Sequence, residues 1–292
     1  MKKIISRSLL FMAVILFVNM GETKAQETVI SQKPVSTSYL IKSSVNQKEY
    51  LVNIILPKNY SSTDAVKYPV LYVLDGRYST TSFYSINETF ALASAKEIKD
   101  IIFVTIDANV KSESEWLTNR YTDLTPSSSP ASDTAIAGFF KLPLSPSGGA
   151  AAFLATIEKD IIPFIEQKYK TSERGIFGHS LGGLFAAYCL LTKPELFQKY
   201  SMNSPSVWWN NNEMVTLADS IAKNHPTLKA SIFISAGSLE GDFMNVPVNN
   251  LIQRLKGNFT NLTITSKIFE EETHLSVVPA ASSRSLRVLF SQ

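Results

Sequence analysis

The sequence predicts an α/β fold: a single domain built on a mostly parallel central sheet with helices on both faces. Three observations carry this prediction. Short runs rich in β-branched residues alternate along the chain with longer segments of helical spacing. The 292 residues, less a leader of 25, leave about 267, enough to bury one large core. A glycine-flanked serine, Gly178-His179-Ser180-Leu181-Gly182, falls at a junction between a strand-like and a helix-like segment.

Residues 1–25 read as a signal peptide. Lys2, Lys3 and Arg7 form a positive head, Leu9 to Val18 is an apolar run too short to span a bilayer with ease, and Thr23-Lys24-Ala25 offers small residues for cleavage. Residues 26–292 are then the mature domain, secreted or periplasmic, with no stable membrane anchor after cleavage; an uncleaved N-terminal anchor is the competing reading. Strands are expected at 49–56 (EYLVNIIL), 69–74 (PVLYVL) and 101–107 (IIFVTID). Residues 119–150 break the rhythm with clustered Ser and Pro around a small apolar patch, Phe139, Phe140 and Leu142, and read as a long pocket-covering loop or a surface excursion. A helix follows over 151–169, kinked or restarted near Pro163, and then the strand RGIFGHS (174–180) and the helix LGGLFAAYCLL (181–191). The remainder alternates: strand 198–204, helix 211–223, strand 230–236, helix 246–256, strand 262–269 and helix 276–289.

Lys and Arg number 28 against 25 Asp and Glu, but the leader holds four of the basic residues and one acidic residue, so the mature domain balances at 24 against 24. With no basic run in that domain, nothing points to nucleic acid. The single cysteine, Cys189, lies in an apolar helical run; it excludes an intramolecular disulfide and a cysteine-based metal site, and reads as a small buried hydrophobe.

The pattern G-x-S-x-G between strand and helix is the steric signature of a sharp turn that lifts a serine oxygen to the carboxyl end of a sheet. Ser180 needs a base to take its proton. Of the three histidines, His179 adjoins the serine and points away from it, and His225 precedes the next strand at the wrong end of the sheet. His274 directly follows strand 262–269 and is the expected base. The carboxylate that holds the imidazole belongs on the loop after strand 230–236, where GSLEGD supplies Glu240, with Asp242 as the alternative. Glu270, Glu271 and Glu272 are too near His274 in sequence to orient its ring and read as a solvated rim. An oxyanion needs preorganised donors: the backbone N–H of Leu181, at the positive end of the following helix, and that of Arg77 in the LDGR turn.

Together YPVLYVLDGRY, EKDIIPFIEQKYKT, RGIFGHSLGGLFAAY, NSPSVWW, SAGSLEGD and THLSVVP resemble the putative-esterase family of α/β-hydrolases, which includes enterobactin and other siderophore esterases, feruloyl and acetyl-xylan esterases, S-formylglutathione hydrolases and mycolyltransferases. The resemblance runs from about Tyr39 to the end. It implies an α/β-hydrolase fold with Ser180 as nucleophile, His274 as base, Glu240 as the acid, and Arg77 with Leu181 as amide donors. It also matches Ser204-Pro205-Ser206-Val207-Trp208-Trp209 to the family's SPS-x-WW stretch, most like the siderophore-esterase branch. Trp208 and Trp209 are candidates for the substrate pocket, one of them packing under the sheet edge, and Arg77, Lys111, Arg120 and Lys141 are the basic residues available to an anionic ester.

The expected activity is that of a secreted serine esterase working through an acyl-enzyme on a small-molecule or polysaccharide-linked ester, a siderophore trilactone or a feruloyl or acetyl ester, with no metal or organic cofactor. Acyl transfer from the same residues, or a non-catalytic binding module on the same fold, are the alternatives.

Overall fold

The computed structural model describes residues 36–63, 65–92, 97–224 and 227–292; the leader and His225 lie outside them. Among these residues eight strands form one sheet: β1 (Thr37–Lys42), β2 (Glu49–Ile55), β3 (Tyr68–Val73), β4 (Ile102–Ala108), β5 (Thr171–His179), β6 (Lys199–Asn203), β7 (Ala230–Gly237) and β8 (Leu262–Phe269). Their order is β1-β2-β4-β3-β5-β6-β7-β8. The first two pairings, β1 with β2 and β2 with β4, are antiparallel, and all the rest are parallel.

The parallel strands read as near-continuous apolar runs because both their faces are covered. Val70 and Tyr72 of β3, with Ile102, Val104 and Ile106 of β4, enter one core, while Leu71, Val73 and Phe103 between them enter the other. Helices α1 (Gly76–Leu92) and α9 (Val277–Leu289) cover the second face through Phe83, Leu286 and Leu289. The first face is covered by α4 (Ala150–Thr156), α5 (Ile162–Lys168), α6 (Leu181–Thr192), α7 (Trp209–Asn224) and α8 (Gly241–Asn258), through residues such as Phe153, Ile165, Phe185, Met214 and Leu251. Cys189 is fully buried in this core, and its burial pushes the thiol pKa well up. Between α4 and α5 a π-helical turn, Ile157–Ile161, precedes Pro163. Proline has no N–H to give the Lys159 carbonyl and its ring crowds that group, so the widened turn absorbs the break expected there.

Residues 119–150 are not a structureless loop. They contain the end of α2 (Glu113–Leu124) and all of α3 (Pro130–Phe140). Buried Asp133 of α3 accepts the Tyr121 hydroxyl of α2 at 2.8 Å and the Ser147 N–H at 3.2 Å, which pins the excursion to the body. Among the described residues no helix is long and apolar enough to cross a membrane.

Candidate active site

The carboxyl edge of five adjacent strands, β3-β5-β6-β7-β8, assembles the site. Ser180 follows β5 with φ 60° and ψ −120°, a conformation rarely tolerated outside glycine and one that lifts its side chain off the sheet edge. The turn is tight at Gly178, where a Cβ would sit 2.0 Å from the Gly182 carbonyl oxygen, and at Gly183, where one would sit 2.9 Å from Pro205 Cα. Gly182 is different: a Cβ there meets only ordinary contacts at 3.5 Å, so of the two glycines flanking the serine it is Gly178 that the geometry requires. Leu181 opens α6, so its N–H has no acceptor within the helix and stands at the positive end of the helix dipole.

Glu240 and His274 meet after β7 and β8. His274 Nδ1 lies 2.6 Å from Glu240 Oε2, and the carboxylate side chain is 1 % exposed against 35 % for the imidazole. Glu240 Oε1 accepts the Ser204 hydroxyl and the Gly237 N–H, each at 2.6 Å. Burial alone would raise the Glu240 pKa, but the bonds from His274, Ser204 and Gly237 outweigh it and hold the carboxyl below its usual value. An ionised acceptor at Nδ1 puts the imidazole proton there and leaves Nε2 free to accept. Asp242, the alternative acid, is exposed at the start of α8. Glu270 and Glu271 are exposed, as a solvated rim requires, whereas Glu272 is half-buried and its carboxylate accepts the Ser276 hydroxyl.

His179 is half-buried, its two ring nitrogens shielded from solvent with no hydrogen-bond partner, and its ring centroid is 4.6 Å from that of His274. Burial, with the His274 and Arg120 charges nearby, drives its pKa down to about 3, so it is a neutral ring beside the more exposed imidazole.

Two expectations need correction. The Arg77 N–H is bonded to Asp107 Oδ2 at 2.6 Å and is not free to receive an oxyanion. Asp107 also accepts the Trp116 indole N–H at 3.0 Å; its pKa is raised to about 6, chiefly by burial. Trp209 is no pocket residue: it is fully buried, edge-on to Tyr121, with its indole N–H 3.3 Å from the Ser127 hydroxyl.

Trp208 does line a cavity of about 400 Å³ that opens on Ser180 and Leu181. Phe243 of α8 stands beside it, ring centroids 5.2 Å apart, and Ile136, Phe139 and Phe140 of α3 supply further apolar wall. Arg120 also reaches the cavity, but its charge is engaged: Nε and Nη2 hold the Asp75 carboxylate at 2.6 and 3.0 Å, and Nη2 donates to the His179 carbonyl at 3.1 Å. Arg77, Lys111 and Lys141 are exposed and outside the lining. Among the described residues no three His, Cys, Asp or Glu side chains cluster as a metal site.

Sequence reasoning passed over the two hydroxyls of Ser204-Pro205-Ser206. Ser204, at φ 41°, holds Glu240, and Ser206 places its Oγ 3.4 Å from Ser180 Oγ. The signal was their position directly after β6, between the strands that lead to Ser180 and Glu240.

Residues 43–277 match the family described as "Putative esterase". The ferri-bacillibactin esterase BesA of Bacillus subtilis (strain 168) is 31% identical over 255 residues, spanning 80% of this chain and 83% of the relative. The crystal structure of the BES protein from Bacillus cereus is similar at TM-score 0.77 and 29% identity, covering 92% of this chain and all of that one. An IroE-like serine hydrolase from Shewanella oneidensis is similar at TM-score 0.76 and 25% identity, covering 87% of this chain and 80% of that one. Family, relatives and sheet architecture agree, and the chain belongs to the putative esterase family as a carboxylic ester hydrolase of the α/β-hydrolase fold.

Proposed function

We propose that the chain is an exported serine esterase in which Ser180, His274 and Glu240 form the triad, acting on siderophore-type lactones with aromatic arms. The observation that carries the triad is the 2.6 Å contact between His274 Nδ1 and the buried, ionised Glu240, two strands away from a serine on a strained strand-to-helix turn. With Nδ1–H held by Glu240, Nε2 takes the Ser180 proton as Oγ attacks the ester carbonyl carbon. The carbonyl oxygen becomes an oxyanion in front of the Leu181 N–H. The intermediate collapses to the acyl-enzyme, and the departing alcohol takes the proton from His274. Water then repeats the sequence: His274 removes its proton, hydroxide adds to the acyl carbon, and Ser180 leaves with the proton returned.

The substrate reading is supported by the mostly aromatic and aliphatic cavity and by the relative named for ferri-bacillibactin. Export rests on the leader at residues 1–25. The test is labelling by a fluorophosphonate, expected in the native protein and absent in Ser180→Ala, together with a panel of p-nitrophenyl acetate, methyl ferulate, acetylated xylan and a catecholate trilactone. An unlabelled native protein refutes the triad; turnover of acetylated xylan in preference to the trilactone refutes the substrate class.

A further inference from the structure

The oxyanion requires more than one donor, and the Arg77 amide is bonded to Asp107 instead. Another donor stands in the same cavity. Ser206 is 2 % exposed, lines the wall beside Ser180 and Leu181, and holds its Oγ 3.4 Å from Ser180 Oγ. Its backbone is fixed relative to the nucleophile, because the Ser206 N–H donates to the Ser180 carbonyl at 3.1 Å and its own carbonyl accepts the Trp209 N–H at 3.1 Å. Pro205 presses on Gly183, in the first turn of the helix that Leu181 opens, with no room for a Cβ between them. A hydroxyl held this way needs little reorganisation during the reaction.

At 3.4 Å the contact between the two hydroxyls is longer than an ordinary O–H···O bond, so neither proton is committed to it. Two other donors in the wall are taken: Tyr121 gives its proton to Asp133 at 2.8 Å, and Arg120 is engaged by Asp75 and the His179 carbonyl. When Ser180 Oγ bonds to the ester carbon, the developing oxyanion lies one tetrahedral edge from Oγ, within hydrogen-bond reach of a hydroxyl 3.4 Å away.

From this we infer that Ser206 is a further catalytic residue, a side-chain oxyanion donor acting with the Leu181 amide. The inference rests on Ser180 being the nucleophile. Ser206 keeps its proton throughout: its O–H points to the ester carbonyl oxygen as negative charge builds there, and no bond to Ser206 forms or breaks.

The experiment compares Ser206→Ala and Ser206→Thr with the native protein, measuring kcat and KM on a p-nitrophenyl ester and the Ki of an alkylboronic acid, which mimics the tetrahedral intermediate on Ser180. Ser206→Ala deletes one oxygen and leaves the backbone bond to Ser180 in place. The expected result is a fall in kcat of roughly 10²-fold, KM within about twofold, and boronate binding weakened by a factor that follows kcat. Ser206→Thr keeps the hydroxyl and is expected to recover most of the loss. A kcat for Ser206→Ala within threefold of native overturns the donor role, as does a large loss of kcat with boronate affinity unmoved. If the native protein hydrolyses no ester and binds no fluorophosphonate, the triad reading itself falls. An active native protein with an equally active Ser206→Ala defeats only the present inference.

Discussion

Replacing Glu240 with Gln tests the site at its most constrained point. The side chain keeps its size, but two donors, Ser204 Oγ and the Gly237 N–H, converge on Oε1 at 2.6 Å each, so the amide oxygen of the variant must take that position. The NH₂ group is then forced to face His274 Nδ1, where a donor meets what had been an N–H. The imidazole relieves the conflict by moving its proton to Nε2, which leaves it unable to accept from Ser180. The same tautomer error in a serine protease triad lowers kcat by about 10⁴, and the buried setting here argues for a similar scale, roughly 10³- to 10⁴-fold or about 4–5 kcal/mol of transition-state stabilisation. The assay is kcat/KM on p-nitrophenyl acetate at neutral pH, with a thermal melt to establish that the variant is folded. Asp242→Asn is the matched control: its carboxylate is exposed, and activity within twofold of native is expected. A Glu240→Gln variant within tenfold of native, or an Asp242→Asn variant that loses more than Glu240→Gln, refutes this assignment of the acid.

The two adjacent tryptophans separate stability from binding. Trp209→Ala empties a fully buried site and is expected to cost about 3–5 kcal/mol in denaturant unfolding, whereas Trp208→Ala removes cavity wall and is expected to raise KM for aryl esters several-fold with little change in stability. A Trp208→Ala variant that unfolds as readily as Trp209→Ala contradicts that division. Asp107 gives a pH signature. Its folded pKa of about 6 lies above the unfolded carboxylate value near 4, so the native state binds that proton more tightly, and its contribution makes stability fall as pH rises through that window and level off above it. Comparing native protein with Asp107→Asn from pH 4 to pH 8, the difference in unfolding free energy should change by up to about 3 kcal/mol. A difference independent of pH would mean that Asp107 titrates normally.

Much of this site is legible in the sequence because of topology. In a parallel sheet each strand delivers its following loop to the same edge, so chain order converts to spatial order: Ser180 after β5, Glu240 after β7, His274 after β8. Elimination among three histidines and the GSLE loop therefore suffices to bring together residues 34 positions apart at 2.6 Å. What sequence reasoning lost, it lost to contacts with no local pattern. The Arg77 amide looks available until Asp107, 30 residues on at the end of β4, is seen to accept it. The end of α2 and all of α3, within 119–150, were hidden by the Ser and Pro content of that segment, although both helices carry start signals. Ser112 accepts the Glu115 N–H while the Glu115 carboxylate accepts the Lys111 N–H, close to a capping box, and Pro130 opens α3 directly after Ser129. Edge strand β1 escaped because only Tyr39 and Ile41 are even half-buried, and helix α1 because it buries little beyond Phe83 in a polar setting.

The positions of backbone strain carry the last step. Asp75, Ser180 and Ser204 each have positive φ without being glycine, and each stands one or two residues beyond the end of a strand, β3, β5 and β6, which are neighbours in the sheet. Such conformations cost of order 1–3 kcal/mol apiece and persist only where surrounding contacts over-determine them. Here those contacts run between the three turns and to Glu240. Arg120 ties Asp75 to the carbonyl of His179, the Ser180 N–H donates to the Asn203 carbonyl at 2.9 Å, and Ser204 binds Glu240. Each strained turn is thus held by a group belonging to another part of the site, so the loop after β3, the Ser180 turn and the SPS turn cannot relax independently. That mutual restraint fixes the Ser206 hydroxyl beside Ser180 in the resting protein, before any substrate arrives.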